Sequence, residues 1–228
     1  MIIVIRKIFV CKDILLVFIF MNIFQQNASA KDFIFNVVDY GAKGDGISLD
    51  TKAIQSAIND AGLDGGRVVL PPGTYLSGTI FMKSNITLEI TEGAVLLGST
   101  NISDYPDTVP SFNSYNDVFL TQSLIYGDKL NNVLITGSGT IDGQGSSFKV
   151  ITKVKPERYR NRPFVIRFIE CKNILIENVK MKNSAMWMQH YLACDYLTVR
   201  GIKVYNHANQ NNDMIDIDGC RNVIVSDC

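Results

Sequence analysis

The stretch Asn173-Ile174-Leu175-Ile176 decides the fold, because its pattern of a polar residue followed by a short aliphatic run returns along the chain. The pattern recurs in Asn132-Val133-Leu134-Ile135, Tyr196-Leu197-Thr198-Val199 and Asn222-Val223-Ile224-Val225, and Asn85-Ile86-Thr87-Leu88 fits it as well. Successive copies begin 23 residues apart, from Asn173 to Tyr196, and then 26 residues apart, from Tyr196 to Asn222. A period in the twenties built from short strands predicts a solenoid, in which each repeat forms one coil and each strand stacks in parallel on its neighbour.

Two sets of side chains fall on this repeat and are expected to stack in successive coils. The three cysteines two residues before the repeat position are Cys171, Cys194 and Cys220. We interpret them as small interior hydrophobic residues, with a disulfide as the alternative. The asparagines at the repeat position, Asn132, Asn173 and Asn222, predict an amide ladder at a bend.

The chain before the repeats contains one helix pattern. Residues 33–38 are strand-like, residues 41–46 form a glycine-rich loop, and Asp50 is a candidate N-cap for a helix that Gly65-Gly66 ends. From Arg67 onward, short β-branched runs lie between Gly, Asn, Asp and Ser clusters, which is typical of many short strands. The sequence therefore predicts an all-β parallel β-helix with a short capping helix near residues 50–61.

The first thirty residues have the pattern of a secretory signal peptide. Arg6, Lys7 and Lys12 precede an apolar run over residues 14–24, and Ala28-Ser29-Ala30 supplies small residues for cleavage. Eleven helical residues at ~1.5 Å each cannot cross a ~30 Å hydrocarbon core. We expect residues 1–30 to be removed after Ala30, residues 31–228 to form one secreted or periplasmic domain, and the mature protein to have no membrane segment.

Composition and charge exclude several classes of partner. The chain is 46% hydrophobic and 19% charged, which suits a packed core. Cleavage would remove three basic residues and one acid from the 22 of each, which gives a net charge of −2 and no indication of nucleic-acid binding. The sequence has no CxxC or clustered Cys/His pattern, so we expect no metal site and no cofactor.

Several motifs in sequence order carry a resemblance to a known family. They are Val37 to Gly46 followed by Asp50 to Gln55, then Gly139-Thr140-Ile141-Asp142-Gly143-Gln144-Gly145, then Asn183-Ser184 with Trp187 and His190, and finally Asn211-Asn212-Asp213. Together they resemble the polygalacturonase family of glycoside hydrolases, family 28, over nearly all of residues 33–228. The resemblance implies a right-handed parallel β-helix that hydrolyses α-1,4-galacturonan or a related pectic chain with inversion, as a monomer.

The same resemblance assigns roles to four residues. Asp213 matches a catalytic aspartate that helps to activate water, and Asn211 a neighbouring polar contact. Trp187 and His190 resemble a motif that contacts sugar at the groove edge, although a packed, hydrogen-bonded pair remains an equal alternative. The chain departs from the family where Asn212 replaces a threonine and where Met214 replaces a glycine.

The acids around Asp213 are explained by the chemistry of inverting hydrolysis, which needs a protonated carboxyl and a carboxylate ~6.5–9.5 Å apart. If the strand is regular from Met214, Asp216 and Asp218 face away from Asp213. We therefore expect turn-capping or structural hydrogen bonds for these two acids. The adjacent aspartates, the Gly-His-Gly and the Arg-x-Lys of the family would fall after Cys228. We accordingly expect missing C-terminal coils and an inactive fragment.

The remaining alternatives concern a basic stretch and the type of protein. The cations from Lys149 to Arg162 are interpreted as a solvated loop, or otherwise as an attractive surface for a polyuronate. A calcium-dependent polysaccharide lyase and a non-catalytic glycan-binding module share the predicted scaffold and stay as alternatives.

Overall fold

The strands of this chain stack in parallel into a right-handed β-helix. The computed structural model describes residues 33–114, 121–155 and 157–228. The predicted signal segment, residues 1–30, lies outside the described residues. Within them, each full coil contributes one strand to each of three parallel sheets. The predicted solenoid is confirmed.

Sheet A holds the repeat that decides the fold. Its strands, in stacking order, are β1 (Ile34–Asn36), β3 (Gly66–Leu70), β6 (Ile86–Ile90), β9 (Asn131–Gly137), β12 (Lys172–Glu177), β15 (Asp195–Arg200) and β18 (Arg221–Ser226). Ile174 pairs with Val133 on one side and with Leu197 on the other, so equivalent repeat positions lie directly over one another.

The other two sheets close each coil. Sheet B contains β2 (Asp45–Leu49), β4 (Gly73–Ser77), β7 (Ala94–Gly98), β10 (Thr140–Asp142), β13 (Lys180–Lys182) and β16 (Lys203–Tyr205). Sheet C contains β5 (Ile80–Phe81), β8 (Ser123–Asp128), β11 (Phe164–Ile169), β14 (Gln189–Leu192) and β17 (Asp216–Asp218). Alternate residues of all three sheets point inward and form a continuous apolar core.

The helix α1 spans Thr51–Asp64 and buries one face against the first coils, through Ile54, Ala57, Ile58 and Ala61. The predicted apolar stripe is therefore confirmed, but the predicted cap is wrong. The Asp50 carboxylate makes no capping bond and instead accepts hydrogen bonds from the backbone N–H of Lys43 at 2.7 Å and of Gly44 at 3.0 Å. Asp50 thus stabilises the glycine-rich loop, which a local capping rule does not anticipate.

The asparagine ladder forms where sheet A begins. Asn132 donates its Nδ2 to Asn85 Oδ1 at 2.7 Å, and Asn173 donates to Asn132 Oδ1 at 3.0 Å. These residues have φ between 55° and 63°, a left-handed conformation that asparagine tolerates better than most residues. The ladder is interrupted at Tyr196, and Asn222 donates instead to Asp195 Oδ1 at 2.8 Å.

The stacked cysteines are interior residues, as predicted. Cys171 and Cys194 are buried, Cys220 is half-buried, and all three carry free thiols. Each Sγ donates a weak hydrogen bond to a backbone carbonyl at the end of sheet C, such as Tyr191 O for Cys220.

The long connections all run from sheet B to sheet C. Four residues or fewer join sheet C to sheet A, whereas Asp142 to Phe164 and Tyr205 to Asp216 delimit much longer loops. The functional motifs of the sequence lie on these loops, so the fold gathers them along one side of the coil stack. No helix in the described part of the chain is long and apolar enough to span a membrane.

Candidate active site

The motif Asn211-Asn212-Asp213 lies on the loop between β16 and β17, residues 206–215, which we call the site loop. Asparagine is frequent here because its amide can bond to nearby backbone groups and because it tolerates left-handed φ, as at Asn211 with φ 55°. The loop is therefore shaped by side-chain hydrogen bonds rather than by a strand ladder.

Asn212 fixes the site loop to the preceding coil. Its Nδ2 donates to Ser184 O at 2.9 Å and to Met186 O at 3.2 Å, while its Oδ1 accepts the backbone N–H of Asn209 at 2.6 Å. Asn206 adds a bond from its Nδ2 to Ser184 Oγ at 2.6 Å. A threonine at position 212 offers one hydroxyl, so it could not make both carbonyl contacts and also accept the Asn209 amide.

Asn209 extends these contacts one coil further back. Its Nδ2 donates to Gly145 O at 2.9 Å and to Phe148 O at 2.5 Å. Both acceptors lie on the loop that follows β10. The site loop is thus bonded to the connections of two earlier coils.

Arg162 holds the other side of the site loop. It is 2% exposed, and its guanidinium donates to Ala185 O at 3.0 Å, to Asn211 Oδ1 at 3.4 Å and to the backbone carbonyl of Gln210. Burial and the neighbouring Arg158 charge lower the pKa of Arg162 to about 10. The expectation of a solvated loop for this basic stretch is wrong at Arg162, because its donors match the loop's carbonyls.

Asp213 is exposed at the end of the site loop. Its backbone carbonyl accepts the N–H of Met188 at 2.9 Å, which places it beside the residue that follows Trp187 in the previous coil. The described residues donate no hydrogen bond to its carboxylate. The carboxylate therefore faces solvent from a position that the backbone fixes.

Asp216 lies close enough to Asp213 to feel its charge. Burial, followed by the negative charges of Asp213 and Asp218, raises the pKa of Asp216 to about 7. The expectation that Asp216 faces away assumed a strand from Met214, but β17 begins only at Asp216, so strand alternation does not extend back to Asp213. Asp216 Oδ2 is buried and accepts no hydrogen bond from the described residues, so the expected structural bond is not formed there.

Trp187 and His190 belong to an aromatic cluster with Phe164. His190 stacks on Phe164 with ring centroids 5.5 Å apart and an interplanar angle of 23°, and it meets Trp187 edge-on at 5.3 Å. Trp187 is half-buried, whereas His190 is 2% exposed. Burial and the Arg167 charge lower the pKa of His190 to about 3, so its imidazole is neutral at physiological pH. A sugar could reach Trp187 directly, but not His190 without a local opening.

The strand register aligns a polar row that the sequence reading missed. Tyr126, Arg167, His190 and Asp216 occupy equivalent positions in β8, β11, β14 and β17. Arg167 is fully buried, with its guanidinium carbon 5.3 Å from the Phe164 ring centroid. The offsets from Arg167 to His190 and on to Asp216 are the same 23 and 26 residues as in the repeat, which was the available signal.

Among residues 33–114, 121–155 and 157–228, no group of three His, Cys, Asp or Glu side chains is arranged to hold a metal ion. The site loop contacts described so far are made by amide, guanidinium and carbonyl groups.

Comparison with known proteins places this geometry in context. The family model for glycosyl hydrolases family 28 matches residues 67–228. A Vitis vinifera protein named "Probable polygalacturonase" is 34% identical over 203 residues, which are 85% of this chain and 41% of that protein. A Streptococcus pneumoniae protein named "Plasmin and fibronectin-binding protein A" is 36% identical over 157 residues, which are 68% of this chain and 21% of that protein.

A solved structure shows the same fold. The family 28 exopolygalacturonase of Yersinia enterocolitica superposes with a TM-score of 0.76 at 28% identity, covering 86% of this chain and 43% of that one. The chain thus spans less than half the length of these three proteins.

Proposed function

Because this chain belongs to glycosyl hydrolases family 28, we propose that the protein containing it hydrolyses α-1,4-galacturonan or a related pectic polysaccharide. The single observation that carries the proposal is the family match over residues 67–228, which includes the complete site loop. The similarity to the polygalacturonases of Vitis vinifera and Yersinia enterocolitica supports the choice of substrate.

Asp213 is proposed as the catalytic carboxylate that directs water at the sugar. Inverting hydrolysis pairs such a base with a protonated acid across ~6.5–9.5 Å. Parallel strands are ~4.8 Å apart, so acids one coil from Asp213 fall near this range. Asp216 supports the proposal, because its pKa of about 7 reports an acidic, partly desolvated surrounding in which a proton can be held near neutral pH.

The substrate contacts proposed here are Trp187, Asn211 and His190. The half-buried Trp187 ring presents an apolar face to a sugar. The Asn211 amide is oriented by Arg162 at 3.4 Å. His190 would act by supporting the Trp187 ring, unless the cluster opens. Export by cleavage after Ala30, a monomeric state and acids contributed by later coils are part of the same proposal.

The test is the release of reducing ends from polygalacturonate by the whole protein and by its Asp213→Asn variant. The proposal expects release by the wild type and a loss of at least ~100-fold in the variant, in line with the loss of one acid–base group. Lack of release from any pectic polymer would refute it. A product that absorbs in the ultraviolet and disappears with chelator would identify a lyase instead.

One observation favours a second candidate function, a non-catalytic binding module. The Streptococcus pneumoniae relative carries the name of a plasmin- and fibronectin-binding protein, and Asn212 and Met214 depart from the family pattern. Retention of pectin without turnover by the whole protein would favour this alternative.

A further inference from the structure

The outer face of sheet B carries a basic groove that the proposed reaction does not use. A cavity of about 290 Å³ lies across β10, β13 and β16, and its polar lining consists of Thr140, Lys180, Lys182, Lys203 and Tyr205. All three lysines and Tyr205 are exposed. We call this surface the lysine groove. It lies on a different sheet from β14 and β17, which carry His190 and Asp216.

The strand register stacks like charges in the lysine groove. Lys180 pairs directly with Lys203 in the next coil, and Lys182 pairs with Tyr205. Neighbouring like charges on adjacent strands repel, so this arrangement is unfavourable in the absence of an anion. Elsewhere, the outer rows of sheet A hold compensated pairs, such as Arg67 with Glu89 at 3.1 Å and Arg200 with Glu177 at 2.8 Å.

Only one lysine of the lysine groove is compensated by a described acid. Lys182 Nζ lies 3.2 Å from Asp142 Oδ2, whereas Lys180 and Lys203 form no ion pair with any described residue. The surface therefore presents two uncompensated ammonium groups one coil apart, ~4.8 Å between strands. That spacing suits a ligand with closely repeated negative charges better than a single small anion.

Tyr205 adds an apolar contact at the edge of the lysine groove. It is 69% exposed, and its ring packs edge-on against His207 with centroids 5.2 Å apart. A fixed, exposed aromatic ring beside cations is a common arrangement for sugar rings that carry acidic groups. Because Tyr205 directly precedes the site loop, a polymer bound here would continue toward that loop.

From this geometry we propose that the lysine groove is a second binding site, separate from Asp213, for a carboxylate-bearing polysaccharide. The likeness of Lys180, Lys203 and Tyr205 to a polyanion site stands by itself. The choice of a pectic polyuronate as the ligand rests on the proposed function.

The experiment measures binding of polygalacturonate to the full chain by calorimetry, with Asp213→Asn present in every sample so that turnover cannot interfere. Removing both uncompensated charges, in Lys180→Ala/Lys203→Ala, should weaken binding about tenfold or more. The matched control, Lys52→Ala/Lys172→Ala, removes two exposed lysines from α1 and β12 and should leave the affinity within about twofold. Tyr205→Ala should weaken binding about three- to tenfold.

Two measurements on the protein with an unaltered groove make the test independent of variant folding. Binding should fall steeply as salt rises, and methyl-esterified polygalacturonate, which lacks the charges, should not bind to the lysine groove. Equal affinity for the esterified polymer, or equal losses in the two double variants, would overturn the proposal. So would a lack of polygalacturonate binding.

The outcomes separate this inference from the proposed function. Hydrolysis by the whole protein, together with binding that does not depend on Lys180 and Lys203, would remove only the lysine groove proposal. Groove-dependent binding without hydrolysis would remove only the proposed reaction.

Discussion

Truncation of Arg162 should release the site loop and destabilise the whole chain. The change Arg162→Ala removes guanidinium bonds to Ala185 O at 3.0 Å, to Asn211 Oδ1 at 3.4 Å and to Gln210 O. Hydrogen bonds from a charged donor contribute ~1.5–3 kcal/mol each, and the weak 3.4 Å contact contributes little. The two stronger bonds therefore amount to roughly 3–6 kcal/mol.

Desolvation of the charge reduces this figure. Burial already lowers the pKa of Arg162 to about 10, so removing the guanidinium recovers part of the cost of holding it away from water. We expect a net loss of about 3 kcal/mol in the free energy of unfolding, since breaking a buried polar contact from one side typically costs ~3–5 kcal/mol. Arg162→Lys keeps the charge but not the planar fork, and should lose about half as much.

The assay is chemical denaturation of the full chain, together with hydrogen exchange of the amides of residues 209–213. Arg221→Ala is the matched control, because the Arg221 side chain is 76% exposed and its 3.0 Å ion pair with Asp195 should contribute less than ~1 kcal/mol. Exchange in the site loop should accelerate in Arg162→Ala and not in the control. Stability within ~0.5 kcal/mol of the Arg221→Ala variant, or unchanged exchange, would refute the reasoning.

Four further outcomes follow from other contacts. Asn132→Ala should lose about 2 kcal/mol, because it breaks two ladder bonds and leaves alanine at φ 56°, whereas Asn132→Gly should lose about 1 kcal/mol less; equal denaturation midpoints would contradict the strain argument. Asp213→Asn should lower the pKa of Asp216 in a carbon-13 titration, and an unchanged pKa would place the two carboxylates too far apart to interact. The folded-state pKa of Asp216, about 7, lies above its ordinary value of 3.8, so its contribution is fully present below about pH 4 and is lost as the pH rises to 7; Asp216→Asn should flatten this part of the stability profile, and an identical profile would count against the shift. Asn212→Thr, although it restores the family residue, should lose about 1–2 kcal/mol with the bonds to Ser184 and Met186, and a neutral effect on melting would show that those bonds contribute little.

The sequence was a good guide wherever the repeat alone sets the structure. The offsets between Asn132, Asn173 and Asn222 predicted stacked coils, and the same offsets placed Cys171 and Cys194 in the interior. These features depend on strand period and side-chain size, which are local properties. The capping role of Asp50 was mispredicted, because its carboxylate bonds to a loop whose position depends on the first coil.

The site was only partly accessible to the same reasoning. Asp213 was identified by its motif, but its coupling to Asp216 depends on where β17 begins, which strand alternation could not give for an irregular loop. The clamp by Arg162 joins residues 48 apart in the chain, and a basic stretch by itself looks like a solvated surface. Charge patterns in sequence show neither burial nor the acceptors that a buried cation will meet.

The sequence by itself determined the coil, since a short apolar run that returns every twenty-odd residues can bury its inward face only by stacking in parallel. It also determined the family and the identity of the acid at position 213. The tertiary structure alone decided which side chains meet across the coils: Arg162 with the site loop, Asp216 with Asp213, and Lys180 over Lys203. The physical reason is register, because the repeat fixes which residues point outward, while loop lengths and side-chain hydrogen bonds fix which of them become neighbours.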